Sequence, residues 1–341
     1  MHAQFAYVAN KGSNTVSGYT LDTTTGALTP ITGSPFALRK GSFPDSVAVD
    51  PSGKFAYVAN AGHNDVSGYT IAPLSGVLTA IIHSPFTAGS SPASMAVDPS
   101  GKFAYVADAN DRSVSGYTIN PLTGALKPVS RFHAEVSPAS VAMDPSGKFT
   151  YVANVNSDSV SAYTIAPLTG RLTPITGSPF AAGLSPASVT VDPSGKFVYV
   201  ANLNSNSVSG YAIDPGTGAL TTIPGSSFAG GSGPLSVAVD PSGKFAYVAN
   251  LIGNNVSGYK IDPGSGALAP IAGSPFAAGS APYSVAVDPS GTFAYVTNFY
   301  GGNVSGYTID SITGVLKPIT GSPFAAESEP VSIAFAHPSP A

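Results

Sequence analysis

The chain has no cysteine and no tryptophan, and only 9% of its 341 residues are charged. Without cysteine there can be no disulfide, no thiolate metal site and no thiol nucleophile, and the redox compartment stays open. Cations are scarce: 14 Lys and Arg against 18 Asp and Glu give a net charge of -4. That is too few for a basic stripe along a phosphate backbone, so nucleic acid is not an expected partner. No apolar run reaches the roughly 18 residues of a membrane-spanning helix, and the strand alternation lacks the polar inner face of an outer-membrane barrel. The five histidines, His2, His63, His83, His133 and His337, show no His-x-x-x-His or His-Glu pairing. No metal site and no cofactor is therefore expected.

Glycine (38) and proline (31) are plentiful, and 43% of the residues are hydrophobic. This mix suits short strands joined by tight turns. Self-similarity gives the fold away. Tyr-Val-Ala-Asn or a close variant starts at Tyr7, Tyr57, Tyr105, Tyr151, Tyr199, Tyr247 and Tyr295, at spacings of 50, 48, 46, 48, 48 and 48 residues. Each unit reads as four strands, A to D, in the first instance Ser46 to Asp50, Phe55 to Ala59, Val66 to Ile71 and Val77 to Ile82. Asp50-Pro-Ser-Gly53 supplies the A-to-B turn: proline presets φ, aspartate bonds back to turn amides and glycine takes the left-handed conformation. In strand B, Phe55, Tyr57 and Ala59 alternate with Ala56 and Val58, so both faces are apolar and both must be covered. A β-propeller does this by packing each blade between two others.

The expected fold is all-β: one seven-bladed propeller domain over residues 1–341, with A strands near 46–50, 94–98, 140–144, 188–192, 236–240, 284–288 and 331–335. Because the sequence begins in a strand B (Phe5 to Ala9) and its last strand is an A, the first B, C and D should recruit the last A into a shared closing blade. The Asn or Asp that ends each strand B is expected to bond its own B-to-C turn. No signal-peptide pattern precedes the first strand, and the abrupt start is that expected of a chain whose leader has been removed. Low charge with abundant Ser, Thr, Gly and Asn points to an extracytoplasmic bacterial protein.

The repeated Val-Ala-Val-Asp-Pro-Ser-Gly-Lys-Phe-Ala-Tyr-Val-Ala-Asn, followed by Val-Ser-Gly-Tyr and Gly-Ala-Leu, resembles the YVTN-type bacterial propellers and the wider seven-bladed lactonase-like family. Tyr295-Val-Thr-Asn298 matches the motif that gives the former its name. The resemblance spans essentially the whole chain and rests on residues that build a blade. It implies a seven-bladed scaffold and, among enzymes, a 6-phosphogluconolactonase-like lactone hydrolase, with His, Arg and Glu at one mouth of the central channel. In this chain the position just before strand A, which should ring that mouth, is Asp45, Ala93, Ala139, Ala187, Leu235, Tyr283 and Val331, a mostly apolar set.

A site should show as departures from the repeat. Both length anomalies are read as D-to-A connections, one lengthened (Ala37 to Asp45) and one shortened (Ser130 to Val136). With the nearby B-to-C loops they gather Arg39, Lys40, Asp45, His63, Asp65, Asp108, Asp111 and Arg131 as candidates for binding an anion. Arg112, His133 and Glu135 are the catalytic candidates, since Arg can clamp a carboxylate and His with Glu can relay protons. The leading expectation is a non-catalytic binding or structural scaffold whose partner is a protein, a glycan or a small anionic ligand on the D-A and B-C loop rim. The alternative is a lactonase using the charged sector.

Overall fold

The computed structural model describes residues 4–337, so His2 lies outside the described part of the chain. Seven antiparallel sheets stand around a central channel, each with strand order A-B-C-D from the axis outward. Blades are numbered here by their A strands: Pro44–Val49, Pro92–Val97, Pro138–Met143, Pro186–Val191, Pro234–Val239, Pro282–Val287 and Pro330–Ala336. Blade 7 is the shared one. Pro330–Ala336 pairs with strand B Gln4–Asn10, placing Ala334 opposite Tyr7, and Thr15–Leu21 and Leu28–Pro30 complete the sheet.

Repeated side chains stitch the blades together. Strand B is buried along its length in every complete repeat, for example Phe55–Asn60. Its tyrosine, however, carries a hydroxyl that needs a partner. Tyr57 Oη donates to the carbonyl of Gly124 in the C-to-D turn of the next blade at 2.7 Å, and Tyr295 closes the ring by donating to Gly26 at 2.6 Å. A second tyrosine, on strand C, reaches the other way: Tyr163 Oη donates to the His133 carbonyl at 2.6 Å. The turn aspartate acts as its sequence context dictates. Asp50 accepts from the amides of Ser52, Lys54 and Phe55 at 2.7–3.0 Å.

Near the axis a serine in six of the seven A strands accepts the amide of the next blade's A strand, as Ser46 does from Met95 at 3.1 Å and Ser332 from Val47 at 3.2 Å. Each Asn that ends strand B bonds within its own B-to-C hairpin, as expected. Asn10 Nδ2, for instance, donates to Thr15 and Ser17 hydroxyls at 3.1 and 2.9 Å.

Strand D differs from the sequence reading. In six blades it is only three residues long, as at Leu78–Ala80, and the chain then bulges before a two-residue segment such as Phe86–Thr87 returns to strand C. In the bulge a serine hydroxyl accepts a strand-C amide, Ser84 from Gly68 at 2.8 Å. Blade 2 lacks this bulge and runs a continuous strand D, Leu126–His133. The two-residue deficit of the 46-residue unit therefore lies in strand D and not in the D-to-A connection. Only the insertion before blade 1 is a true loop change.

Candidate functional site

The B-to-C and D-to-A loops share one rim, and the channel opens there. The mouth-lining residues expected just before the A strands are the second residue of each, and the seven line a cavity of 320 Å³ together with the serine belt, Val155 and Leu203. The mouth is apolar around most of its circumference, with Ala93, Ala139, Ala187, Leu235 and Val331. One acid interrupts it. Asp45 sits beside Val331 and is bonded to Lys11 Nζ at 2.6 Å, with side-chain exposures of 15% and 32%. Burial pushes the Asp45 carboxyl above the usual range, and the Lys11 ammonium opposes that rise.

Lys11 escaped the sequence reading although its signal was present. It follows the Asn that ends strand B, a position filled elsewhere by Ala61, Ala109, Val155, Leu203, Leu251 and Phe299. One cation in an apolar column, and one acid in the ring next to it, mark the same spot. Across Val331 from Asp45 stands Tyr283, whose hydroxyl is pushed up to about 12, by burial first and then by the Asp45 charge. Its ring stacks on Phe299 at 5.5 Å, and Phe299 meets Tyr300 edge-on at 5.1 Å. Tyr300 is 78% exposed, so an aromatic path runs from the mouth to the outer surface.

The other expected site residues form separate local pairs. The inserted loop lies over blade 1: Arg39 forms an ion pair with Asp65, and Lys40 offers its carbonyl to His63 Nε2 at 3.1 Å. Phe43 N donates to Asn14 Oδ1 at 2.9 Å, tying that loop to blade 7. In blade 2, Arg131 reaches Asp111 at 3.3 Å and the Ala88 carbonyl at 2.6 Å. Asp108 is fully buried, accepting from Ser113, Ser115 and the Gly89 amide, and its carboxyl is pushed up to about 6 chiefly by burial.

Arg112, His133 and Glu135 do not reach the mouth. Arg112 occupies a left-handed turn position (φ 52°), and His133 ends the outermost strand, paired with Ser113. Three strand spacings, about 14 Å, separate that strand from the inner one. Arg112 and His133 are exposed and Glu135 half-buried. They mark the outer rim of blade 2 and do not line the channel cavity. No cluster of three potential metal ligands is present among the described residues.

Solved structures share this architecture closely. A protein from Bacteroides uniformis, provisionally named a 6-phosphogluconolactonase, is 18% identical, with a TM-score of 0.85 over 98% of this chain and 99% of its own. A Bacteroides fragilis protein of the same provisional name is 20% identical, with a TM-score of 0.85 over 98% of both chains. The periplasmic gluconolactonase of Pseudomonas aeruginosa is 20% identical, with a TM-score of 0.82 over 99% of both. At these identities the likeness is one of fold. No curated protein matches the sequence significantly. A profile of the seven-bladed β-propeller lactonases matches residues 1–135, 128–232 and 220–335, nearly the whole length. The chain belongs to that lactonase family of seven-bladed β-propellers.

Proposed function

We propose that the protein is a lactone hydrolase acting outside the cytoplasm, with its centre at Asp45 and Lys11 in the channel mouth. The observation that carries this reading is the single desolvated acid-base pair in an otherwise apolar ring, in a chain of the lactonase family. The named activities of the structural neighbours support the substrate class, and the periplasmic setting of one supports the location.

In this reading a water held by Asp45 attacks the lactone carbonyl while the carboxylate takes its proton. Lys11 stabilises the negative charge that develops on the carbonyl oxygen. The ring C–O bond then breaks, and the ring oxygen recovers the proton from Asp45, leaving a hydroxy acid. Burial makes Asp45 a stronger base than an exposed aspartate, which suits it to the first step. The tyrosine and phenylalanine beside it offer a flat face to a sugar ring. Lys11 is already neutralised by Asp45, which favours an uncharged aldonolactone over a phosphorylated one.

The test is hydrolysis of an aldonolactone panel with the full chain. Wild type should exceed the spontaneous rate, and Asp45→Asn should lower the catalysed rate by about 10²–10⁴-fold, the range for removing a general base. A wild-type rate equal to the spontaneous one would instead favour a binding scaffold, the reading that the plain, largely apolar mouth supports.

A further inference from the structure

The rim opposite the channel mouth carries the A-to-B and C-to-D turns, and its two halves differ in chemistry. In blades 4 to 7 the C-to-D turn opens with Asp214, Asp262, Asp310 or Asp22, whose carboxylates accept turn amides, as Asp22 does from Thr24 at 2.8 Å. In blades 1 to 3 that place is Ala72, Asn120 or Ala166, and the next two residues are Pro and Leu. The three leucines protrude almost entirely into solvent: Leu74 is 89% exposed, Leu122 88% and Leu168 91%. The turn itself does not call for leucine, since Gly216 and Gly264 fill the position in blades 4 and 5.

Cations accompany these tips. Lys54, Lys102 and Lys148 are exposed in the A-to-B turns of the same three blades; Lys196 and Lys244 fill the same place in blades 4 and 5, where a C-to-D turn aspartate offsets them. A cleft of 390 Å³ between blades 1 and 2 is lined by Lys54, Ser52, Ser100 and Pro121, so the ammonium shares an opening with the turn that carries Leu122. The acids of the A-to-B turns, such as Asp50, are buried and turned towards backbone amides.

We propose that this sector of blades 1 to 3 docks on an anionic lipid surface. Isolated convex leucines have no groove to fill and match a surface that yields to them, as the interfacial region of a bilayer does. The lysines beside them match acidic headgroups. Blades 4 to 7 lack the leucines and carry an aspartate at each C-to-D turn, so the ring tilts onto the edge of blades 1 to 3 and keeps the channel mouth free.

Co-sedimentation of the full chain with phosphatidylcholine vesicles, with and without about a third phosphatidylserine, tests this. Wild type should bind the anionic vesicles with a salt-sensitive affinity. The combined substitution L74S, L122S and L168S should weaken binding by at least about tenfold with an unchanged circular dichroism spectrum. I312S, on an equally exposed tip beside Asp310, should leave it unchanged. Absence of wild-type binding, or equal binding by the triple variant, would overturn the proposal. Capture of a protein through the leucines with vesicles left blank would do so too. Lactone hydrolysis in the absence of vesicles is untouched by any of these results.

Discussion

Asp108 occupies a position that is asparagine in the six other blades, and the substitution sets a pH dependence. Its carboxyl rises to about 6 in the fold because burial outweighs two serine hydroxyls, the Gly89 amide and the nearby Arg131. In the unfolded chain it titrates near about 3.9. The folded state therefore binds the proton more tightly, and the stability this gives is present below about pH 4 and lost as pH rises through 6. Asp108→Asn should remove that slope and stabilise the protein at neutral pH by at most about 3 kcal/mol. Asn298 shows that the amide fits, since its Oδ1 accepts Gly279 N while its Nδ2 donates to Asn303 and Ser305. Denaturant melts of both proteins at pH 5 and 7.5 decide the matter; parallel curves would mean Asp108 titrates normally.

The turns between strands C and D make a sharper test of how blades are joined. Gly124 has φ +71°, and a Cβ there would lie 2.4 Å from Phe55 of the preceding blade. Gly33, in the strand-D bulge of blade 7, has φ +86° with nothing within 4 Å. Gly33→Ala should cost only the left-handed strain, about 1–2 kcal/mol, whereas Gly124→Ala adds an overpacking penalty of about 1–3 kcal/mol. Equal losses in chemical denaturation would show that the inter-blade contact has room to yield.

At this scale much was legible in the sequence, because period-two alternation, Asp-Pro-Ser-Gly turns and a fixed repeat all speak for the same strands. The broken strand D was not. Thr-Gly-Ser-Pro-Phe reads as a loop, and only the pairing of Phe36 with Val16 shows the chain returning to its sheet. Lys11 and Asp45 are 34 residues apart and belong to different blades, so nothing local links them. Their proximity comes from the side-by-side packing of two blades that follow one another in the chain. His133, by contrast, looked chemical in sequence because a two-residue deletion shifted its surroundings, and the fold puts it on an outer edge.

For the whole molecule the decisive element is Pro330–Ala336. Removing residues 330–341 would expose the edge of strand Gln4–Asn10 and take Val331, which lies between Tyr283 and Asp45, out of the mouth. Thermal melting of that truncation should lose its single sharp transition, and lactone hydrolysis should fall with it. An unchanged melting temperature would show that the ring is held by its other contacts alone. The closing strand also governs assembly. Six A strands reach their B strands across one tight turn, while Pro330–Ala336 must find a partner at the far end of the chain. Loop closure costs more over such a span, so this pairing forms last. Until then the ring has an unpaired edge, open to any copy of the same strand. At high protein concentration that copy comes from a neighbouring chain, so crowding during refolding selects exchanged oligomers over closed rings.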